Sequence, residues 1–87
     1  LQMYPNPVSR QLYINYELDG PCDRVGLILY NADGRVCLRS DDYPAFAGRH
    51  QVVQNLELLP DGTYFYCFSV VREGEEPVLV TGGLIKE

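Results

Sequence analysis

Thr63-Tyr64-Phe65-Tyr66-Cys67-Phe68-Ser69-Val70-Val71 decides the fold. Successive side chains of an extended chain point to opposite faces. Tyr64, Tyr66, Phe68 and Val70 therefore share one face, and Phe65, Cys67, Ser69 and Val71 share the other. Aromatic and β-branched residues fill the stretch, as suits a strand packed on a pleated surface. Leu59-Pro60-Asp61-Gly62 precedes it as a tight turn, with Pro at the first central position and Gly62 closing it. Glu73-Gly74-Glu75-Glu76-Pro77 follows it as an exposed acidic turn.

Working outward, the same period recurs. In Gln11–Leu18, Leu12, Ile14, Tyr16 and Leu18 alternate with Gln11, Tyr13, Asn15 and Glu17, which marks a half-buried strand. Val25–Tyr30 is almost continuously apolar and predicts a central strand covered on both faces. Asn31-Ala32-Asp33-Gly34 turns it back into Arg35–Ser40, with Gly34 free to take positive φ. In that return strand Val36 and Leu38 should point one way, and Arg35, Cys37 and Arg39 the other. Asp41–Gly48 reads as a loop whose Tyr43 and Phe46 cover an open end of the core. Gln51–Leu58 reads as a strand with a bulge near Asn55. Val78–Lys86 reads as the last strand, kinked or bulged at Gly82-Gly83. Met3-Tyr4 could add a short edge strand. Turn signals every 8 to 14 residues and no helical period predict an all-β sandwich of about seven antiparallel strands.

The chain has 87 residues, enough for one domain over residues 1–87. Its 46% hydrophobic content supports one modest core, with stability on the order of 5 kcal/mol. It opens on Leu1, without a basic segment followed by an apolar stretch, and reads as a piece of a longer protein. No apolar run approaches the ~20 residues that span a bilayer. Twelve acidic residues against seven basic ones give a net charge of −5. The basic residues are scattered, which argues against nucleic acid as a partner.

Few residues suggest chemistry. His50 is the only histidine and lies at a strand start, with no nucleophile motif beside it. Asp41 and Asp42 are neighbours in a loop, whereas paired catalytic carboxylates face each other across a cleft. Asn31, Asp33, Asp41 and Asp42 lack the spacing of a calcium loop. Cys22, Cys37 and Cys67 allow one disulfide and a free thiol, or three small buried hydrophobes; they are too few for a structural zinc site. The reading is no catalytic residue, no cofactor and no metal. Tyr13, Tyr30, Tyr43 and Phe65, if partly exposed, would suit a sugar-binding face.

Tyr4-Pro5-Asn6-Pro7 opens the domain. The hairpin Val25–Val36 with its Asn-Ala-Asp-Gly turn follows. Leu58-Leu59-Pro60-Asp61-Gly62-Thr63-Tyr64-Phe65-Tyr66 comes next, and a short strand ends in Lys86-Glu87. This ordered set resembles the C-terminal sorting domain of the type IX, or Por, secretion system over essentially the whole chain. It is also similar to the immunoglobulin-like domain of flagellar hook-capping proteins. The resemblance implies an immunoglobulin-like sandwich at the C-terminus of an exported protein of Bacteroidota. Its cargo, upstream in the same chain, would pass through the periplasm to the cell surface or the medium. The partners implied are the outer-membrane translocon and a sortase, and the last strand is the recognition element. The matching motif residues are Pro5, Asn6, Pro7, Gly34, Leu59, Gly62, Tyr64 and Lys86. The family's last strand usually carries more than one Lys or Arg; here Lys86 stands alone beside Glu87. Spacers and glycan-binding modules on surface hydrolases or adhesins are built on similar sandwiches.

The strand phase is testable. Tyr64→Ala should destabilise by roughly 3 to 5 kcal/mol in urea unfolding if Tyr64 is a core aromatic, and a loss under about 1 kcal/mol would mean the alternation is misread.

Overall fold

The computed structural model describes residues 1–87 as seven strands. They are β1 (Gln2–Tyr4), β2 (Gln11–Leu18), β3 (Arg24–Asn31), β4 (Val36–Ser40), β5 (Gly48–Asn55), β6 (Gly62–Val71) and β7 (Val78–Lys86). One antiparallel sheet has the order β1-β2-β5 and the other β4-β3-β6-β7. The alternation in the sequence explains how they stack. Leu12, Ile14, Tyr16 and Leu18 of β2 are buried, and so are Val25, Leu27 and Leu29 of β3, Tyr64, Phe68 and Val70 of β6, and Leu84 of β7. These side chains form one cluster from both sheets. The Tyr16 ring meets the Phe68 ring across the gap at 5.2 Å, tilted by 53°. The all-β sandwich read from the sequence is the fold observed.

Close approach explains Gly26 in the middle of β3. A Cβ there would lie 2.6 Å from the Ser40 carbonyl oxygen and 2.9 Å from Asp41 Cα. Only a bare Cα lets the β4 end fold over the strand. The β3–β4 turn is held by Asn31, whose Oδ1 accepts from the Asp33 and Arg35 N–H groups. Gly34 takes φ 81° there.

Several expectations are corrected. β5 starts at Gly48 and ends at Asn55 rather than running from Gln51 to Leu58, and no bulge lies near Asn55. All eight of its residues pair with β2. It stops because Asn55 Oδ1 accepts the Glu57 N–H and Leu56 donates to the Arg10 carbonyl. β7 has neither bulge nor kink at Gly82-Gly83, for its pairing with β6 runs unbroken from Lys86 to Val78. The irregularity lies in β3–β4, between Leu29 and Tyr30. It leaves Cys37 and Leu38 packed on the core and Val36 exposed, so β4 does not alternate simply. The outer face of β3 has no second layer, and Ile28 and Tyr30 are only half-buried. Of the two loop aromatics, Tyr43 is buried, not partly exposed, and its hydroxyl donates to Gln54 Oε1. Phe46 is 65% exposed instead of closing the core.

Tyr16 and Tyr43 are pushed up from 10.0 to about 12, in both cases chiefly by burial. The unfolded chain then loses these phenolic protons at lower pH than the folded one. Their contribution is fully present below the ordinary value and is lost as pH rises through the folded value. The urea midpoint should therefore hold up to pH 10.0 and fall progressively toward about pH 12. Tyr43→Phe should flatten that fall, and an equally steep loss in the variant would overturn the assignment.

Candidate functional site

Pro5 and Pro7 lack N–H groups, so between β1 and β2 the chain cannot make an ordinary ladder. The Tyr4–Pro5 and Asn6–Pro7 peptide bonds are both cis. Asn6, between the prolines, uses its side chain instead. Its Nδ2 donates to the Gly83 carbonyl at 3.3 Å, and its Oδ1 accepts from the Ile85 N–H at 3.0 Å. The amide thus supplies one donor and one acceptor to the free edge of β7. Val8 continues with its backbone. It donates to the Ile85 carbonyl and accepts from the Glu87 N–H, both at 2.8 Å. This forms a parallel bridge beside Lys86, and the Val8 side chain is fully buried. Asn6 and Val8 together clasp the last five residues of the chain.

The other motif residues gather at the same end. Gly62 lies opposite Lys86, and Tyr64 opposite Leu84 on one side and Asn31 on the other. The Tyr64 hydroxyl donates to the Pro60 carbonyl at 2.6 Å. A tyrosine at a strand start, bonded to backbone a few residues upstream, is the tyrosine corner of Greek-key sandwiches. Burial, first, raises its pKa. Leu59 packs half-buried on the core and donates to the Leu56 carbonyl. Gly34 turns β3 into β4 just beyond Asn31. Pro5, Asn6, Pro7, Gly34, Leu59, Gly62, Tyr64 and Lys86 thus occupy one pole of the sandwich. Lys86 points inward like Leu84. It is only 6% exposed, and its Nζ lies 3.5 Å from Asp61 Oδ1. Its stem packs while its charged head reaches the rim.

The opposite pole is acidic. Asp19, Asp23, Asp41, Asp42, Glu73, Glu75 and Glu76 lie in or beside its loops. Asp23 ties that end by accepting the Glu73 N–H. His50 lies inside β5, not at an exposed strand end. Its Nε2 donates to the Phe46 carbonyl at 2.7 Å, and its ring meets Phe46 at 4.5 Å and Tyr16 at 5.2 Å. Ser40 binds Asp42, not His50. The three cysteines are unpaired and half-buried. Sequence reasoning missed Val8, which had no signal beyond following the Pro-Asn-Pro motif, and it missed what Asn6 binds, 77 and 79 residues away.

The chain is thus a small β-sandwich in which Asn6, Val8, Gly62 and Tyr64 hold its own last strand. Residues 2–75 match the family of secretion system C-terminal sorting domains, and the chain belongs to that family. No curated protein and no solved structure gives a significant match. Domains of this family are the C-terminal sorting signals of type IX secretion. The secretion machinery recognises them on an attached cargo, which is exported to the cell surface or the extracellular space. They are non-catalytic in general. The matched stretch takes in β1 to β6 and ends in the turn before β7.

Asn6→Ala removes both hydrogen bonds of the Asn6 amide and leaves those of Val8. It should cost about 1 to 3 kcal/mol and speed hydrogen exchange at the Ile85 amide more than at the Leu84 amide, which faces β6. Equal change at both amides would mean that Asn6 does not hold the edge.

Proposed function

We propose that residues 1–87 form one non-catalytic domain that serves as the address label of an exported cargo. The cargo joins upstream of Leu1 and crosses the periplasm. The outer-membrane translocon then reads the label, and a sortase removes it. The observation that carries this reading is polarity within the fold. β1 runs antiparallel to β2, with Gln2 opposite Asn15 and Tyr4 opposite Tyr13. Leu1 therefore leaves toward the acidic pole, while all eight motif residues stand at the other. A cargo attached at Leu1 leaves the motif pole and the end of β7 facing a receptor. The inward, ion-paired Lys86 points to recognition through shape and backbone more than through its charge. The occupied ring of His50 and the solvated Asp41-Asp42 pair fit a label better than an enzyme.

A reporter with a signal peptide, produced in a bacterium with a working type IX system, tests this. Fused upstream of residues 1–87 it should reach the surface or medium, whereas the reporter alone should stay in the periplasm. Lys86→Met should fold and be exported like the parent. Retention of the fusion would overturn the sorting role, and loss of export by a folded Lys86→Met variant would overturn backbone-led recognition.

A further inference from the structure

The free edge of β7 changes character halfway along. In an antiparallel ladder, alternate residues point their N–H and C=O groups toward the neighbouring strand and away from it. Ile85 and Glu87 point away from β6, toward Asn6 and Val8. Pro77, Leu79, Thr81 and Gly83 share that parity. From Gly83 onward the row is clasped. Before it, the N–H groups of Leu79, Thr81 and Gly83 and the carbonyls of Pro77, Leu79 and Thr81 have no partner, for β7 borders only β6. The side chains are bare as well: Val78 is 53%, Leu79 59% and Val80 37% exposed. No charged residue lies between Pro77 and Ile85, and no bulge twists the edge away. Soluble sheets normally guard an apolar edge with one of these devices.

We propose that this edge pairs with the same edge of a second copy, antiparallel about a two-fold axis at Val80, joining two four-stranded sheets into one of eight. The edge is self-complementary in that register. Leu79 faces Thr81 of the second copy and exchanges both hydrogen bonds with it, and Thr81 does the same with the second copy's Leu79. One step further out, Pro77 faces Gly83 of the second copy. Pro77 has no N–H to offer, and the Gly83 carbonyl is already taken by Asn6. The remaining two groups, the Gly83 N–H and the Pro77 carbonyl, match each other. Three free donors and three free acceptors per copy are thus all used.

The side chains agree. Val80 meets its counterpart in a closely spaced pair. Val78 falls opposite Gly82 of the second copy. A Cβ on Gly82 would lie 2.5 Å from Tyr66 Oη, so the second copy's Tyr66 fills that space and gives Val78 a ring to pack on. The pairing rests on a short strand, so its area is small and its dissociation constant lies between about 10 μM and about 1 mM.

Sedimentation velocity on the 87-residue chain, from about 10 μM to about 2 mM, should show monomer giving way to dimer. Thr81→Pro removes a donor that faces away from β6, leaving the β6–β7 ladder whole. It should weaken association at least about tenfold with little change in melting temperature. Val80→Lys sets two like charges face to face without touching the backbone, and it carries the test if the proline variant fails to fold. A chain that stays monomeric throughout, folded variants that associate like the parent, or growth beyond a dimer would overturn the proposal. Export plays no part in this test, so sorting and self-pairing stand or fall separately.

Discussion

The structure depends on how its terminal strand is held. β7 is an edge strand, and edge strands have only one neighbour to supply hydrogen bonds. Here the half that carries Leu84 into the core gains a second neighbour, the Asn6–Val8 segment, while the other half has none. The side chain that holds this half is an asparagine, whose amide offers an acceptor and a donor on one short arm. That matches the alternating N–H and C=O of a strand edge. The flanking prolines remove the backbone donor at two of the four positions from Pro5 to Val8, so the side chain at Asn6 and the backbone at Val8 share the task. Because the segment also joins β1 to β2, it ties one sheet to the edge of the other.

Much of this was legible in the residues. The alternations of Gln11–Leu18 and Thr63–Val71 put the buried side chains where they are, because a period of two with aromatic or aliphatic residues on one face has few other stable solutions. The failures are local and have causes. Leu56 and Leu58 extended the apparent fifth strand, yet Asn55 had already turned its side chain onto the backbone and ended the ladder. Gly48-Arg49-His50 carried no strand signal, because the outward face there is polar and the pairing comes wholly from β2. Two glycines in β7 suggested a bulge, but the room beside Gly82 is occupied by the Tyr66 ring. Tyr43, expected to cover an open end, is part of the core, because the loop between Ser40 and Gly48 is long enough to turn its ring inward.

The candidate site shows a sharper divide. The eight motif residues are scattered through the sequence, and only resemblance grouped them. The fold brings them to one pole through strand register: Asn31 lies opposite Tyr64, and Gly62 opposite Lys86. No spacing rule links Asn6 to Gly83, since the contact depends on seven strands closing correctly. The same holds for Lys86. It is a motif residue by resemblance alone, and its parity with Leu84 turns it inward onto Asp61.

The family match ends before β7, and along with the rest of the sandwich it takes in the residues that seat β7: the Asn6 amide, the Val8 bridge and all of β6. Main-chain hydrogen bonds need no particular residue, so a strand read through its edge is free to vary so long as its seat is kept. The half of β7 outside the clasp, Val78 to Gly82, carries no charge, and Thr81 is its one polar side chain. A strand that is both held and open sits between two demands. Closing the rest of the edge would add stability and hide it from any partner; releasing Asn6 would free the Gly83 carbonyl and the Ile85 N–H as well. The Pro-Asn-Pro segment sets the boundary between the two, at Gly83.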